Sequence, residues 1–471
     1  MQEIKKINLS LEFDYYSLGD LVKIKYGKNQ KKVQDDENGQ YPIFGTGGLM
    51  GYSIEYLYDK PSVLIGRKGS IEKVRYIEEP FWTVDTLFYT EVNEKVVIPK
   101  FLYYVMSLID LSRYNEGTSI PSLRTETLNR LDLPIPDLDY QNRVLSVLSK
   151  IDKKIEINGK INKNLELYLF YIFDETFMNL EFNEFSNSQD KIPLSWNLGT
   201  FNDIIESLGS GDWGKDELTG NYTSEVYCIR GADIPDVKQG NKGKMPIRYI
   251  LSKNFQNKKL NENTIVLEIS GGSPTQSTGR TVFITEDFLN RFDKDLICTN
   301  FCKVIKPALN YEIFIYLYFN YLYDKDVMFA YENGTTGIKN FDIKSFINNF
   351  LIVIPSQEDV INFNKLVKDV FDIIMHNGLE IEKLQQLRDT LLPKLMSGEI
   401  DVSKINCDLK IIIRKIYIKS SKLFLWRYLS ENQNHIKNTK SNETLLKSRT
   451  IHKINKFLAK FNARYRYYRQ Q

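Results

Sequence analysis

Two short loops carry the side chains with the greatest capacity for hydrogen-bonding chemistry. Arg67–Ser70 follows the apolar run Ser62–Ile65, and Glu268–Ser273 closes the corresponding run Thr264–Ile269. Arg and Lys side chains can recognise guanine edges in the major groove of DNA, and Gln and Asn recognise adenine. Ser and Thr hydroxyls and backbone N–H groups suit phosphates. Any one of these residues is more typical of an ordinary exposed loop, so the signal is their duplicated placement.

The candidate nucleic-acid contacts are basic, hydroxyl, amide or aromatic side chains in loops of both halves. In the first half they are Thr46, Tyr52, Arg67, Lys68, Ser70, Thr118, Ser119 and Arg124. In the second half they are Trp213, Arg230, Ser270, Ser273, Thr275, Gln276, Ser277, Arg280, Thr335, Thr336 and Lys339.

The polar residues show no arrangement typical of an enzyme active site. Neither a Ser/His/Asp set, nor a metal-binding cluster, nor an Asn-Pro-Pro-Tyr-like pocket for methyl transfer is evident. His376 is predicted to be solvated or to lie at a helix contact. Cys298 and Cys302 fall in a predicted strand without a nearby histidine, so buried thiols are favoured over a metal site. The sequence therefore predicts a non-catalytic chain that holds no metal and no cofactor.

Two glycine-rich segments resemble phosphate-binding loops only superficially. Phe44–Gly51 lacks the strand–loop–helix context of a cofactor site, because the residues from Tyr52 onward favour strand or loop. A glycine-rich turn is the better prediction. Gly271–Arg280 is rich in turn residues but is not followed by the Gly-Lys-Ser/Thr of a P-loop.

The formal net charge of +3 conceals a strong asymmetry along the chain. Residues 403–471 hold 17 Lys or Arg and 3 Asp or Glu, which leaves 46 and 57 of the totals of 63 and 60 in residues 1–402. The first 402 residues therefore carry a net charge of −11. If they bind nucleic acid, they must use local basic patches, or a partner must supply positive charge.

Length and composition favour a cytoplasmic protein of several domains. The 471 residues suffice for two or three hydrophobic cores. No apolar run is long enough to span a bilayer, and the N-terminal residues do not resemble an export signal. Four cysteines in so long a chain do not form a disulfide framework, which fits a reducing compartment.

The second half of the chain repeats the first at an offset of 219 residues. Gly117–Leu123 is followed by a Leu-Asp-Leu-Pro-Ile-Pro run that ends at Pro136, and Gly334–Asn340 by a Phe-Leu-Ile-Val-Ile-Pro run that ends at Pro355. Each run leads into a long segment with helical periodicity. Such a duplicated unit indicates a protein that recognises two things at a fixed separation.

Alternating and β-branched runs predict the strands of each half, and longer patterns predict helices. The second half is predicted to restart at Trp196–Gly199, which matches Tyr16–Gly19. Helices are predicted at Pro99–Leu111 and, fully buried, at Phe314–Leu322. The predicted strands are Ser62–Ile65, Lys73–Ile77, Thr86–Val92, Glu225–Arg230, Thr264–Ile269, Thr281–Ile284 and Phe301–Ile305.

The two long helical segments carry matching heptad seams, meaning apolar positions that alternate steps of four and three. Asn158-Gly159 and Asn377-Gly378 occupy equivalent points of the two seams, so a buried polar pair could fix the helix register. The alternative is that each Asn-Gly breaks its helix into a hairpin, but the phase survives across the glycine and favours continuous helices. The seams are Val144, Leu148, Ile151, Ile155, Asn158, Asn162, Leu165, Leu169 and Ile172, and Phe363, Val367, Val370, Ile374, Asn377, Ile381, Leu384, Arg388 and Leu391.

Taken together, residues 16–402 resemble the specificity subunit of a type I restriction–modification enzyme. Each motif is soft by itself, but their order, repeated and followed by long helices, is specific. The motifs are Tyr41–Tyr52, Val63–Ser70, Gly117–Leu123 running into Leu133–Pro136, Leu267–Arg280 and Leu391–Ile400.

The resemblance implies a function in DNA recognition and a set of partners. Two target recognition domains would each bind one half of a split double-stranded DNA sequence. The long helices would act as a ruler and as the dock for two methyltransferase subunits, which restriction subunits may join. Methyl transfer and cleavage, with S-adenosylmethionine, ATP and Mg, would belong to those partners. The recognition domains differ in length and loops, so the target is expected to be asymmetric, with half-site centres roughly one helical turn apart.

The expected fold class is α+β, with two α/β recognition domains separated by two long antiparallel coiled-coil helices in an internal pseudo-two-fold repeat. A helix of this length would extend about 60 Å. The expected organisation is residues 1–136 for the first recognition domain, 137–180 for the first spacer helix, 181–195 for a linker, 196–355 for the second recognition domain, 356–402 for the second spacer helix and 403–471 for a basic extension.

Rival interpretations remain open at the level of sequence. The basic extension is either an arm that contacts phosphates non-specifically or an unselected addition, and the second is slightly favoured. The chain as a whole could instead be a coiled-coil scaffold that binds only protein, or an inactive member of a shuffled set of specificity proteins. A single-chain methyltransferase with an unrecognised site is the third alternative.

Overall fold

The computed structural model describes residues 13–178, 193, 195–271, 276–334 and 339–402. The predicted basic extension and nearly all of the predicted linker lie outside these residues. The chain divides into two compact units: unit 1 contains residues 1–153 and 384–424, and unit 2 contains residues 154–383 and 425–471. Helices and strands are mixed throughout both units, which confirms the predicted α+β class.

The described residues of the first half form nine strands and four α-helices, with a 3₁₀ helix at Leu111–Tyr114 and a π-helical turn at Asp174–Met178. In chain order they are β1 (Asp14–Ser17), α1 (Leu18–Leu21), β2 (Val22–Tyr26), β3 (Tyr41–Gly45), β4 (Gly48–Ser53), β5 (Ser62–Gly66), β6 (Val74–Ile77), β7 (Trp82–Thr83), β8 (Leu87–Val92), α2 (Pro99–Ser107), α3 (Thr125–Asn129), β9 (Asp132–Ile135) and α4 (Leu138–Phe173).

The described residues of the second half form twelve strands and six α-helices, with 3₁₀ helices at Phe201–Asp203, Gly231–Asp233 and Val327–Tyr331. They are β10 (Asn197–Thr200), β11 (Ile205–Ser210), β12 (Tyr222–Ile229), α5 (Ile234–Lys238), β13 (Ile247–Leu251), α6 (Ser252–Lys258), β14 (Thr264–Glu268), β15 (Ser270–Gly271), β16 (Thr281–Ile284), α7 (Glu286–Leu289), β17 (Leu296–Cys298), β18 (Cys302–Pro307), α8 (Glu312–Asp324), β19 (Glu332–Asn333), β20 (Lys339–Phe341), α9 (Ile343–Asn349), β21 (Leu351–Ile354) and α10 (Gln357–Met396).

The strands of the two halves pair according to the same scheme. In the first half, one sheet has the order β2-β8-β5-β6, a second has the order β4-β3-β7, and β1 pairs with β9. In the second half the corresponding orders are β11-β18-β14-β16 and β13-β12-β17, and β10 pairs with β21. The directions also match, since β3–β7 and β12–β17 are parallel while the other pairs are antiparallel. The second half adds a small sheet of order β15-β20-β19.

Each four-stranded sheet contains one inner strand whose residues are all buried. All five residues of β5 and all five of β14 are buried. Continuous apolar runs of this length are typical of strands that are covered on both faces. The polar exception in β5, Ser62, donates a hydrogen bond to the Thr90 carbonyl at 2.8 Å, which satisfies its hydroxyl in the core.

The structure shifts the predicted start of the second half by three residues. Asp14 pairs with Ile135 and Asn197 pairs with Ile354, so Ser17 corresponds to Thr200 rather than to Asn197. Both hydroxyl residues cap a short helix whose third residue is an aspartate. The predicted match aligned Leu18, which is fully buried, with Leu198, which is 63% exposed. The shared cap and not the shared Leu-Gly therefore marks the repeat.

Helices differ from the sequence prediction mainly at their ends. The helix predicted at Pro99–Leu111 ends at Ser107, and a separate 3₁₀ helix follows. The helix predicted to be fully buried at Phe314–Leu322 extends over Glu312–Asp324, and only Tyr321 within the predicted range is half-buried.

The two long helices are continuous through both Asn-Gly pairs, so the hairpin alternative is wrong. Within unit 1 they run antiparallel, since the Tyr140 hydroxyl donates to the Leu395 carbonyl at 2.8 Å and Arg388 Nη1 lies 3.2 Å from Asp152 Oδ1. Unit 2 shows the same direction, since Asn162 Nδ2 donates to the Ile374 carbonyl at 3.0 Å and, further along α4, Phe173 lies beside Phe363 with ring centroids 6.2 Å apart. The buried seam residues are Val144, Leu148, Asn158, Asn162, Leu169, Ile172, Phe363, Val367, Val370, Ile374 and Ile381, while Ile151, Ile155, Leu165, Asn377, Leu384, Arg388 and Leu391 are half-buried.

Candidate nucleic-acid interface

Three loops of unit 1 converge beside the end of β5. The Gly69 N–H donates to the Pro121 carbonyl at 2.9 Å, and the Leu123 N–H donates to the Arg67 carbonyl at 2.9 Å. A Cβ atom on Gly69 would lie 3.7 Å from Thr46 Oγ1, which places the β3–β4 turn against the same loop. The structure thus joins Thr46 and the loop Arg67–Ser70 to the segment that holds Thr118 and Ser119.

Arg67 and Lys68 have different roles although they are adjacent. Arg67 donates from Nη1 to the Asp85 carbonyl at 2.8 Å, and its guanidinium lies 5.1 Å from the centre of the Tyr26 ring. Lys68 is exposed, and its backbone is bridged to Ser122. Arg67 therefore fixes the loop, whereas Lys68 presents its ammonium group to solvent, as a phosphate contact requires.

The segment Phe44–Gly51 forms the turn of the β3–β4 hairpin, as the sequence predicts. Leu49 and Met50 are 54% and 50% exposed beyond this turn, and Tyr52 is also exposed. A Cβ on Gly48 would lie 3.4 Å from Arg75 Nη2, so the guanidinium of Arg75 on β6 approaches the hairpin. No local motif marks Arg75, which approaches the hairpin from a different sheet.

Arg124, the remaining basic candidate of the first half, is mostly exposed and forms an ion pair with Glu116 at 3.1 Å. Exposed pairs of this kind contribute little to stability and are easily exchanged for another anion. Thr118 and Ser119 are exposed in the neighbouring segment.

Basic candidates of unit 2 are committed to buried acids. Arg280 donates from Nε and Nη2 to the two carboxylate oxygens of Glu268 at 2.7 and 2.6 Å. This hydrogen bonding raises the pKa of Arg280 despite the opposing effect of burial. Lys339 lies 3.1 Å from Glu332 Oε2 and 4.6 Å from the centre of the Phe329 ring. These cations therefore organise their loops in this structure.

The hydroxyl and amide candidates of unit 2 lie in different environments. Ser270 is half-buried in β15 and pairs with Asn340, Gln276 is exposed, and Ser277 is buried. The neighbouring Thr278 donates from its N–H and hydroxyl to Glu332 at 2.6 and 2.9 Å, which ties this loop to β19. The candidates Ser273, Thr275, Thr335 and Thr336 lie outside the described residues.

Trp213 is held in place by an arginine that the sequence analysis missed. Arg248 on β13 stacks on the indole ring, with its guanidinium carbon 4.0 Å from the ring centre, and donates from Nε to the Trp213 carbonyl at 2.8 Å. The same guanidinium forms an ion pair with Asp216. Arg248 is 4% exposed and Trp213 is 40% exposed, so a buried cation presents a partly exposed aromatic ring.

Residues with potential for metal binding do not cluster in the part of the chain that the structure describes. There, no group of three or more His, Cys, Asp and Glu residues is placed to hold an ion. Cys228, Cys298 and Cys302 are free thiols in the core of unit 2, where burial raises the pKa of each. No described helix is long and apolar enough to cross a membrane.

Comparison with known proteins finds similarity to one family. Residues 11–167 match the type I restriction modification DNA specificity domain. A specificity subunit of the MjaIX type I restriction enzyme, from Methanocaldococcus jannaschii, is 27% identical over 74% of this chain and 80% of its own length. The HindI specificity subunit of Haemophilus influenzae is 23% identical over 68% of this chain and 81% of its own length. The chain is a type I specificity-subunit homologue.

The relatives are named specificity subunits of restriction enzymes, which does not favour the protein-only scaffold for this homologue. Among solved structures, a type I restriction–modification S subunit from M. genitalium is 18% identical, covers 83% of this chain and 97% of its own, and superposes with a TM-score of 0.48.

The adjoining loops of unit 1 bring several candidate polar groups together. Thr46, Lys68, Ser70 and the Thr118–Ser119 segment offer one ammonium group, several hydroxyls and exposed backbone on adjoining loops. Such groups position a protein on phosphates and sugars, and side chains beyond them can approach base edges. In unit 2, Glu268, Glu332 and Glu382 lie within ion pairs, so their charges are partly neutralised inside the homologue itself.

Proposed function

We propose that this specificity-subunit homologue recognises a bipartite, asymmetric double-stranded DNA target. Residues 1–136 would bind one half of the target and residues 196–355 the other. The observation that carries this proposal is the shared strand-pairing scheme of the two halves. Their connections differ, since two residues join β3 to β4 whereas residues 230–246 join β12 to β13. A common scaffold with different loops is suited to two unrelated half-sites.

The long helices, spanning 137–180 and 356–402, would form an antiparallel coiled coil that sets the spacing of the half-sites. At 1.5 Å per residue, the 36-residue helix α4 is about 54 Å long. The seam residues support this role, because those on α4 and α10 are buried or half-buried along both helices.

The same helices would dock two methyltransferase subunits, and restriction subunits would complete the complex. The homologue itself would be non-catalytic and would hold no cofactor, while its partners would bind S-adenosylmethionine, ATP and Mg. This assignment is supported by the commitment of the buried acids Glu268, Asp233 and Glu332 to ion pairs. The complex would act in the cytoplasm, which suits the free buried thiols.

The contacts with DNA would differ between the halves. In the first half, Thr46, Lys68, Ser70, Thr118 and Ser119 would contact the backbone and neighbouring base edges, with Arg124 able to leave Glu116 for a phosphate. In the second half, Trp213, Ser270 and Gln276 would be the contacting side chains. Arg230, Arg280 and Lys339 would hold their loops in place.

The deciding experiment is co-expression of the chain with its neighbouring methyltransferase, followed by single-molecule sequencing to map modified adenines. A split, asymmetric motif with a fixed gap is expected. Unmethylated DNA despite a purified, assembled complex would contradict active specificity, and failure to assemble would contradict the docking of methyltransferase subunits. Replacing residues 16–136 with the domain of another family member should change one half of the motif only; a change in both halves would refute the modular interpretation.

A further inference from the structure

The connection between β12 and β13, residues 230–246, distinguishes the second half from the first. The corresponding β3–β4 connection contains only residues 46 and 47. The longer connection, called the insert below, contains a 3₁₀ helix and the short helix α5. DNA recognition by the loops described above does not require it.

The two ends of the insert are tied together through one buried carboxylate. Asp233, which is 2% exposed, accepts hydrogen bonds from Arg230 Nε at 2.9 Å and from the Lys244 N–H at 2.9 Å. Arg230 also donates from Nη2 to the Lys244 carbonyl at 2.7 Å. Burial acts to raise the pKa of Asp233, but these hydrogen bonds outweigh it and lower the pKa. The insert is therefore a closed and internally satisfied loop.

The tip of the insert contacts helix α4. Lys238 lies 2.8 Å from Glu166 Oε1, so an ion pair joins the end of α5 to the helix. Asn162 Nδ2 donates to the Gln239 carbonyl at 2.9 Å and to the Ile374 carbonyl of α10 at 3.0 Å. Asn162 is fully buried, and one amide therefore links the insert to both helices.

The same tip meets helix α10 at its Asn-Gly pair. A Cβ atom on Gly378 would lie 1.9 Å from the Gly240 carbonyl oxygen, and one on Gly240 would lie 2.3 Å from the Ile374 oxygen. Gly240 also has a φ of +76°, which disfavours any other residue. Two glycines thus allow the backbone of the insert to rest directly on the backbone of the helix.

Charged groups surround this contact and hold it in register. Arg291 donates to the Gly240 carbonyl and lies 2.6 Å from Glu382 Oε2 on α10. Lys242 of the insert lies 3.3 Å from Glu382 Oε1. The Arg291 side chain is 7% exposed, and a cation buried to this degree is retained only where acceptors are fixed.

The equivalent glycine of the first long helix has no such partner. A Cβ atom on Gly159 would meet no described atom within 4 Å. The sequence repeat therefore preserves the Asn-Gly pair at both positions, but only Gly378 lies beneath an insert.

We propose that residues 230–246 act as a clamp that fixes the DNA-contacting loops of the second half at one angle to α4 and α10. The clamp works through the juxtaposition of Gly240 with Gly378 and of Arg291 and Lys242 with Glu382. This inference rests on the proposed bipartite function. Its consequence is selectivity for one gap length, because a tilted half could follow a half-site displaced along the helical path of DNA.

The test uses the full chain in complex with its methyltransferase subunits. The wild-type complex first defines the methylated motif and its gap. If the wild-type complex yields no motif, the proposed function is contradicted, and this outcome is distinct from a failure of the clamp. Methylation rates are then measured on duplexes whose gap is the natural one, one base pair shorter or one base pair longer. Gly378→Ala is compared with Gly159→Ala, since both exchange a helical glycine that follows an asparagine.

Gly378→Ala should reduce the preference for the natural gap by about tenfold, because an error of about 1 Å in positioning has effects of this order or larger. Gly159→Ala should keep the wild-type preference. Amide hydrogen exchange of residues 239–243 should rise in Gly378→Ala only. If Gly378→Ala fails to fold, Glu382→Gln decides, since it keeps the side-chain shape and removes the charge that holds Arg291 and Lys242.

Several results would overturn the clamp. One is a Gly378→Ala complex that folds and keeps the wild-type gap preference. If Gly378→Ala does not fold, the same result in a folded Glu382→Gln complex would overturn the clamp. Another is an equal loss of rate on all three gaps, which would indicate a merely structural contact. An equal loss of preference in Gly159→Ala would assign the effect to the helices themselves.

Discussion

Asn377 donates from Nδ2 to Asn162 Oδ1 at 2.8 Å, while Asn158, the residue that matches Asn377 in sequence, donates to Glu380 Oε2 at 2.7 Å. The expectation that the two equivalent asparagines form a buried polar pair with each other is therefore wrong. The antiparallel packing offsets the matching positions, so each amide meets a residue about one helical turn from its expected partner. Asn162, which the repeat does not mark, is the residue that hydrogen-bonds with both Ile374 and Asn377 of the other helix.

The asparagines should accordingly differ in their effect on stability. Asn162→Leu removes the side-chain donor to the Gln239 and Ile374 carbonyls and the acceptor of Asn377, so we expect a loss of about 1–3 kcal/mol in the free energy of unfolding. Asn158→Leu should cost less, because Glu380 keeps Lys154 at 3.1 Å. Urea denaturation, followed through the unfolding transition of unit 2, measures the free energy of unfolding of both variants. An Asn158→Leu variant at least as unstable as Asn162→Leu would contradict this ranking.

The Arg280–Glu268 pair should stabilise the chain far more than the Arg124–Glu116 pair. Glu268 is 5% exposed, and Arg280→Ala would leave its carboxylate buried and unpaired, which costs about 3–5 kcal/mol. Arg124→Ala, at a side chain that is 70% exposed, should change stability by less than about 1 kcal/mol. Thermal melts of the two variants provide the comparison. Equal shifts in melting temperature would refute the assignment of Arg280 as a structural residue.

Lys68 and Arg67 should affect DNA binding in different ways. Lys68→Ala should weaken binding to specific and non-specific duplexes alike. It should also reduce the slope of the logarithm of the binding constant against the logarithm of salt concentration by roughly 1. Arg67→Ala should chiefly lower specificity, because it releases the loop from the Asp85 carbonyl. Titrations at several salt concentrations with the assembled complex separate the two outcomes, and Lys68→Arg serves as the charge-preserving control. An unchanged salt dependence in Lys68→Ala would exclude it as a phosphate contact.

The ion pairs of Glu382 predict a loss of stability in acid. Burial acts to raise the pKa of Glu382, but Arg291 and Lys242 outweigh it and hold the pKa below its ordinary value of 4.5. A lowered pKa in the folded state stabilises the fold above the unfolded value, and this contribution disappears as the pH falls from about 4.5 through the folded pKa.

Glu382→Gln should therefore reduce stability near neutral pH and lessen its decline between neutral pH and acid. Denaturation at a series of pH values, with the wild type as reference, measures this difference. Parallel pH profiles for the two proteins would show that Glu382 makes no net contribution through its charge.

Much of the architecture follows from local patterns. The mainly apolar runs at Ser62–Ile65 and Thr264–Ile269 predict strands, and the structure has β5 and β14 there within one residue. The heptad phase across both Asn-Gly pairs predicts continuous helices, as observed. These features are predictable because the period of buried side chains is set by the geometry of a single strand or helix.

Contacts between distant segments could not be predicted in this way. The loop Arg67–Ser70 was recognised from sequence, but its attachment to Pro121 and Thr46 depends on three loops meeting in space. Arg75 and Arg248 were missed for the same reason. Both lie in ordinary strand segments, and only their contacts in space give them a role.

The sequence by itself predicts two related halves, each followed by a long segment of helical periodicity, because repeats and periodicity are properties of order along the chain. Only the tertiary structure decided which polar residues are held in ion pairs and which remain exposed. Arg280 and Glu268 are twelve residues apart, and Gly378 and Gly240 are far more distant in sequence. The energy of an ion pair or a close backbone contact depends on distance and burial in space, and neither is encoded by spacing in sequence alone.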